Sequence, residues 1–169
     1  MPVFSRSTVL AATPAAVFTF HENPHNLRAI IPPGLEVLEI TARDVASPGE
    51  KFTISIRQRP FTLRWTGRWE QVEAPRLLVD SGVRCPFRLW RHSHLFEPCP
   101  EGTRMTDRIE FRLPWHLGGP LGDWFVERWI LPRMFASRHA ATGTHLGKRC
   151  LNEKDTGDRK SRETRSQTP

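Results

Sequence analysis

FRLWRHSHLFEPCPEGTRMTDRIEFRL, residues 87–113, is the stretch that decides the fold. Trp90, His92, His94 and Phe96 stand at every second position. In a β-strand such residues share one face, so an indole, two imidazoles and a phenyl point the same way. Met105, Asp107, Ile109, Phe111 and Leu113 repeat the spacing in a second run, and Asp107 is its one polar member. The turn-forming segment Pro98-Cys99-Pro100-Glu101-Gly102 lies between the two runs. A hairpin through it sets the two faces side by side. Two histidines and a carboxylate then lie within an apolar surface, as in the lining of a pocket.

The same period extends upstream. Val3 to Ala11 reads as a strand, and Val37, Leu38 and Ile40 mark another. Phe52, Ile54 and Ile56 share a face, as do Phe61, Leu63, Trp65 and Trp69. Leu77 to Val79 is a short strand, and Phe87 to Phe96 and Met105 to Leu113 follow. Turn signals separate them at Pro48-Gly49, Arg59-Pro60, Ala74-Pro75 and Cys85-Pro86. One-sided alternation in successive strands indicates an antiparallel meander with one covered face. Two short helices precede it. Thr13-Pro14 supplies an N-cap and a first-turn proline, and Asn23-Pro24 restarts the chain before Pro32-Pro33-Gly34 stops it. After the strands, Leu121, Trp124, Phe125, Trp129 and Phe135 recur at helical spacing in a long segment reaching about Leu146. These residues are expected to face the sheet, with a kink or restart at Pro132. Glu127 and Arg138 are expected to face outward or rim the pocket.

The fold class is therefore α+β: a curved antiparallel sheet of about seven strands, two short helices, and one long C-terminal helix over a cavity. Residues 1–147 read as one ligand-binding domain. Residues 148–169 carry seven basic and four acidic side chains with Leu151 as the single large apolar one, and they read as a charged, disordered tail.

Composition narrows the function. The net charge is +7, but +3 of it lies in that tail and the rest is spread along the strands as alternating arginines. No zinc-finger spacing, RNA-binding aromatic motif or separate basic helix accompanies it, so no nucleic-acid partner is expected. No run approaches the roughly 18 apolar residues of a membrane span, and no signal-peptide pattern opens the chain. Three cysteines without metal spacing fit reduced thiols in the cytoplasm.

Several features resemble the START-like, or SRPBCC, superfamily, which includes polyketide cyclases and coenzyme Q-binding proteins. They are Val79-Asp80, Pro86-Phe87, Trp90, His92, His94, Phe96, Thr103, Met105, Asp107, Phe111 and Pro114. Pro24, Leu27, Ile31 and Pro32-Pro33 add to them, with Gly118, Pro120, Leu121, Gly122, Phe135 and Arg138. The chain departs from that pattern at Cys85, where glycine is common, and at Phe111, where tyrosine is common. The resemblance spans residues 3 to 146. It implies a helix-grip fold with an apolar cavity between the last helix and the sheet.

The candidate ligand-binding residues are Trp90, His92, His94, Phe96, Asp107, Phe111 and Trp124. His92, His94 and Asp107 are also the candidates for acid–base chemistry, since a carboxylate beside an imidazole fixes its tautomer and raises its basicity. The same three residues equally suit a structural hydrogen-bond network that specifies strand register. Two histidines and a carboxylate match the donor set for non-haem iron or zinc, but no further ligand is evident, and the reading assigns no metal and no cofactor. His21, His25, His116, His139 and His145 have no partners in the sequence and read as surface residues. The expected function is binding of a small hydrophobic molecule such as a lipid, isoprenoid or polyketide-like compound. A cyclase, aromatase or dehydratase acting in the same cavity is the alternative. A third class is an interaction module whose groove holds another protein and whose basic tail contacts membrane or nucleic acid.

Overall fold

The computed structural model describes residues 1–147; the expected tail, 148–169, lies outside the described residues. Seven strands form one antiparallel sheet: β1 (Val3–Leu10), β2 (Glu36–Thr41), β3 (Lys51–Gln58), β4 (Phe61–Glu73), β5 (Leu77–Arg84), β6 (Leu89–Cys99) and β7 (Gly102–Arg112). Their spatial order is β1-β7-β6-β5-β4-β3-β2, so the first strand closes back beside the last. The central hairpin pairs Trp90 with Phe111, His94 with Asp107 and Phe96 with Met105. Gly102 makes its tight turn possible. Its φ is +132°, and a Cβ there would lie 2.3 Å from the Leu10 carbonyl oxygen, a position closed to other residues.

Helices α1 (Pro14–Glu22) and α2 (Leu27–Ile30) sit between β1 and β2. The Ala16 N–H donates to Thr13 Oγ1 at 3.3 Å, so Thr13 is the N-cap with Pro14 just inside. The last helix, α3, runs from 119 to 147, interrupted by a π-turn at Val126–Ile130. Pro132 offers no N–H. The turn just before it bonds Leu131 N–H to Val126 O, five residues back, so the helix absorbs the proline without restarting. Its start is tied to the sheet by Asp123, which is buried and accepts the Leu113 N–H at 2.7 Å.

α3 covers the sheet with a different face from the one its apolar spacing suggests. Val126, Leu131, Phe135, His139, Thr142 and Leu146 are buried, whereas Leu121, Trp124, Phe125 and Trp129 are exposed. The π-turn is the cause. One extra residue in a turn advances the later side chains by roughly 100° around the axis relative to an uninterrupted α-helix. Phe61, expected on the covered face of β4, is also exposed. It begins β4 opposite Gln58 at the end of the β3–β4 hairpin, away from the buried Phe52, Ile54 and Trp69.

Buried side chains form two apolar clusters. One includes Phe18, Phe20, Leu78, Phe96, Met105 and Leu146. The other includes Phe4, Trp90, Ile109, Phe111, Leu131 and Phe135. Full burial of such side chains contributes about 1.5–3 kcal/mol each. The opposite face of the sheet carries arginine–carboxylate pairs such as Arg91–Glu70 at 2.8 Å and Arg57–Glu36 at 2.6 Å. Exposed pairs of this kind add little stability.

Candidate functional site

A polar layer separates the two clusters. On β6, His92 and His94 lie between Trp90 and Phe96; on β7, Asp107 lies between Met105 and Ile109. On α3, His139 lies between Phe135 and Leu146, and on β5, Asp80 follows Leu78 on the same face, opposite His92. All five polar residues are buried.

Asp107 is the hub. His92 Nε2–H donates to its Oδ1 at 2.9 Å and His139 Nε2–H to its Oδ2 at 2.5 Å. His94 Nδ1 lies 2.6 Å from Oδ1, yet it is buried without a hydrogen-bond partner, so this is a close contact off the line of the ring N–H. Asp80 Oδ2 stands 3.6 Å from His92 Nδ1, beyond hydrogen-bond range.

Burial and proximity set the protonation states. Burial alone would raise the Asp107 carboxyl, but His94 and hydrogen bonds from His139 and His92 outweigh it and hold it well below the usual carboxylate range. Burial pushes the Asp80 carboxyl up to about 6 against the opposing pull of His94 and Arg138. Burial lowers His92 and His94 despite Asp107 beside them. His21 falls to about 3, through burial and the proximity of His94. At neutral pH Asp107 is thus an ionised carboxylate, Asp80 titrates about one pH unit below, and His92 and His94 are held neutral.

Aromatic rings flank this layer. Trp65, Phe87 and Trp90 pack with centroids 4.8–5.9 Å apart, and Phe87 also meets Phe111. Gly82 makes room for Trp90, since a Cβ there would sit 3.2 Å from the tryptophan's own Cβ. Phe135 packs on His92, and Arg138 lies over Phe135 with its guanidinium 5.1 Å from the ring centre. Arg138 is thus half-buried against the layer rather than turned outward.

Of the residues expected from sequence, Trp90, His92, His94, Phe96, Asp107 and Phe111 line one continuous inner surface. Trp124 does not join them: it is 56% exposed, because the π-turn places the first turns of α3 out of phase with the rest. His139 and His21, read as surface residues, belong at the site. His139 bonds Asp107, and His21 contacts His94 and Phe96 at centroid distances of 5.4 Å. His116 is exposed, as expected. His139 follows Phe135 by four residues, a same-face spacing that marks it in retrospect. Asp80 was also missed as a site residue. Its signal is the two-residue offset from Leu78.

No curated protein sequence matches the chain. Among solved structures it is similar to protein NE0264 from Nitrosomonas europaea (TM-score 0.72, 13% identity, 88% of this chain and 96% of that one). It is also similar to TTHA0849 from Thermus thermophilus (TM-score 0.62, 18% identity, 90% and 99%). A third is StfQ, a di-domain ARO/CYC from the steffimycin biosynthetic pathway (TM-score 0.72, 11% identity), where 88% of this chain aligns with 52% of that one. At these identities the likeness concerns the fold. Residues 1–149 match the family profile described as polyketide cyclase/dehydrase and lipid transport, and the chain belongs to that SRPBCC-type family.

Proposed function

We propose that the protein binds a small hydrophobic molecule between α3 and the sheet, with the His92/His94/Asp107 layer receiving a polar group of the ligand. One observation carries this reading: a buried, charged polar layer sits inside apolar and aromatic walls, on the face that α3 covers. Apolar walls supply most of the affinity in such sites and a few polar groups fix orientation. Trp90, Phe96 and Phe111 are the apolar contacts. With its Nε2 proton given to Asp107, neutral His92 offers its Nδ1 lone pair as acceptor to a ligand hydroxyl.

A second reading, catalysis of cyclisation or dehydration in the same place, is favoured by the two carboxyls. Asp80 is raised while Asp107 is depressed, and divergent carboxyl titration is how one site supplies both an acid and a base. In that case His92 and His94 relay protons and Asp107 orients them.

Titration with oleic acid and with 1,8-dihydroxyanthraquinone, followed by tryptophan fluorescence, tests the binding reading. Saturable binding of either probe is expected, weakened in Trp90→Ala and Asp107→Asn with the circular dichroism retained. Equal binding by both variants would exclude this site. Turnover abolished in His92→Ala with binding retained separates enzyme from carrier.

A further inference from the structure

We propose that Asp80, His92 and His94 form a binding site for a divalent transition-metal ion, with Asp107 as the group that orients the ligands. The site shares His92 and His94 with the ligand-binding layer, and its test reads the metal alone, so either can fail without the other.

The geometry begins with the tautomer of His92. Asp107 accepts the Nε2 proton of this ring, so a neutral His92 carries its lone pair on Nδ1. That lone pair faces Asp80 Oδ2 across 3.6 Å. Two acceptors opposed in a buried space repel each other unless something positive lies between them. Two ligands of a tetrahedral ion, each about 2.1 Å from it, are themselves about 3.4 Å apart. The observed gap is close to that separation. The donor atoms of Asp80, His92 and His94 all lie within 4.8 Å of one another. His94 Nδ1 makes no aligned hydrogen bond but stands 2.6 Å from Asp107 Oδ1, so Asp107 also abuts the second imidazole.

The surroundings fit a metal centre. Two neighbouring strands are enough to build it: β5 and β6 pair, with Asp80 directly opposite His92 in the ladder. Asp107 fixes the His92 ring through its second nitrogen, the carboxylate–histidine–metal relay that holds a ligating imidazole and raises its basicity. Two imidazoles and one carboxylate select zinc or iron(II) over calcium or magnesium, which prefer all-oxygen sets. Three protein ligands leave a coordination position open to water or to a ligand oxygen. The carboxylate in the set is Asp80. Asp107, the carboxylate the sequence pattern points to, has both oxygens engaged by histidines.

A proton on Asp80 is the competing occupant, and the test separates it from a metal. Tag-free full-length protein is stripped with chelator and titrated with Co2+, reading the visible d–d absorption. One equivalent with the bands of a four- or five-coordinate ion is expected, bleached by Zn2+. Asp80→Asn supplies an N–H in place of the proton but no charge, and is expected to abolish the saturable bands. Asp107→Asn weakens binding about 10–100-fold, and His116→Ala on the exposed turn leaves the titration unchanged. Absence of saturable binding, or a wild-type titration in Asp80→Asn, overturns the site. Should Asp80→Asn fail to fold, X-ray absorption of the Zn2+-loaded wild type decides: two imidazoles plus oxygen support the site, and a sulfur-containing or oxygen-only shell contradicts it.

Discussion

His139 on the last helix and His92 on β6 donate to opposite oxygens of one carboxylate, Asp107, at 2.5 and 2.9 Å. That bridge pins the helix to the middle of the sheet through a buried charge. Removing the carboxylate leaves imidazole N–H groups buried without an acceptor. Asp107→Ala is expected to lower unfolding free energy by about 3–5 kcal/mol, the usual cost of breaking a buried charged pair. Urea denaturation measures it, and a loss no larger than that of an exposed ion pair would show that the layer contributes little to the fold.

The same layer makes stability depend on pH. His92, His94 and His21 titrate lower when folded than the ordinary 6.5, so below that value the unfolded chain binds protons the native state refuses. Stability contributed by neutral burial is complete above about 6.5 and is lost as pH falls. Asp80 acts in the opposite direction. Its carboxyl is raised to about 6, so between 3.8 and 6 the native state holds a proton that the unfolded chain has released. The three lowered histidines outnumber the one raised aspartate, so net proton uptake on unfolding is expected as pH falls below 6.5. Urea midpoints measured from pH 7.5 to 4.5 are expected to fall steadily. A flat or rising profile contradicts this assignment. Asp107, held low, adds a further loss only below about pH 4.

The covering face of α3 is tested by two aromatics. Phe135 is fully buried and Trp124 is mostly exposed. Phe135→Ala should cost about 3–5 kcal/mol, whereas Trp124→Ala should change stability by no more than about 0.5 kcal/mol, as at most surface positions. Similar losses in both variants would mean that Trp124 is covered by contacts absent from this fold.

The β6–β7 turn depends on one glycine. Gly102→Ala meets the Leu10 carbonyl and an unfavourable φ together, and backbone cannot yield as a flexible side chain does. A loss of about 1–3 kcal/mol is expected from the strained backbone alone. Gly147→Ala, where a Cβ meets nothing within 4 Å, is the matched control.

Much of this architecture was legible in the chain. Alternation over 90–96 and 105–113 pointed to the hairpin and its inward face, because a half-covered antiparallel strand must alternate. The register that sets Asp107 opposite His94 came only with the structure, since a one-residue slip would turn Asp107 away. The capped start of α1 at Thr13-Pro14 was equally plain. Asp80 was masked by its neighbours: Leu78, Val79 and Asp80 are all buried, so β5 shows no alternation, and the offset of two from Leu78 becomes a signal only once the inner face is known. His139 was hidden by helical phase. Leu121, Trp124, Phe125 and Trp129 outweigh the true inner face by number, and the π-turn that rotates them away leaves no period of its own in the sequence.

The most direct measurement is a native mass spectrum of the freshly purified full-length protein beside Trp90→Ala. The account predicts one organic molecule bound per chain in the wild type and depleted in the variant. A bare chain mass in the wild type, or the same adduct at the same occupancy in Trp90→Ala, would contradict a hydrophobic ligand held against the His92/His94/Asp107 layer.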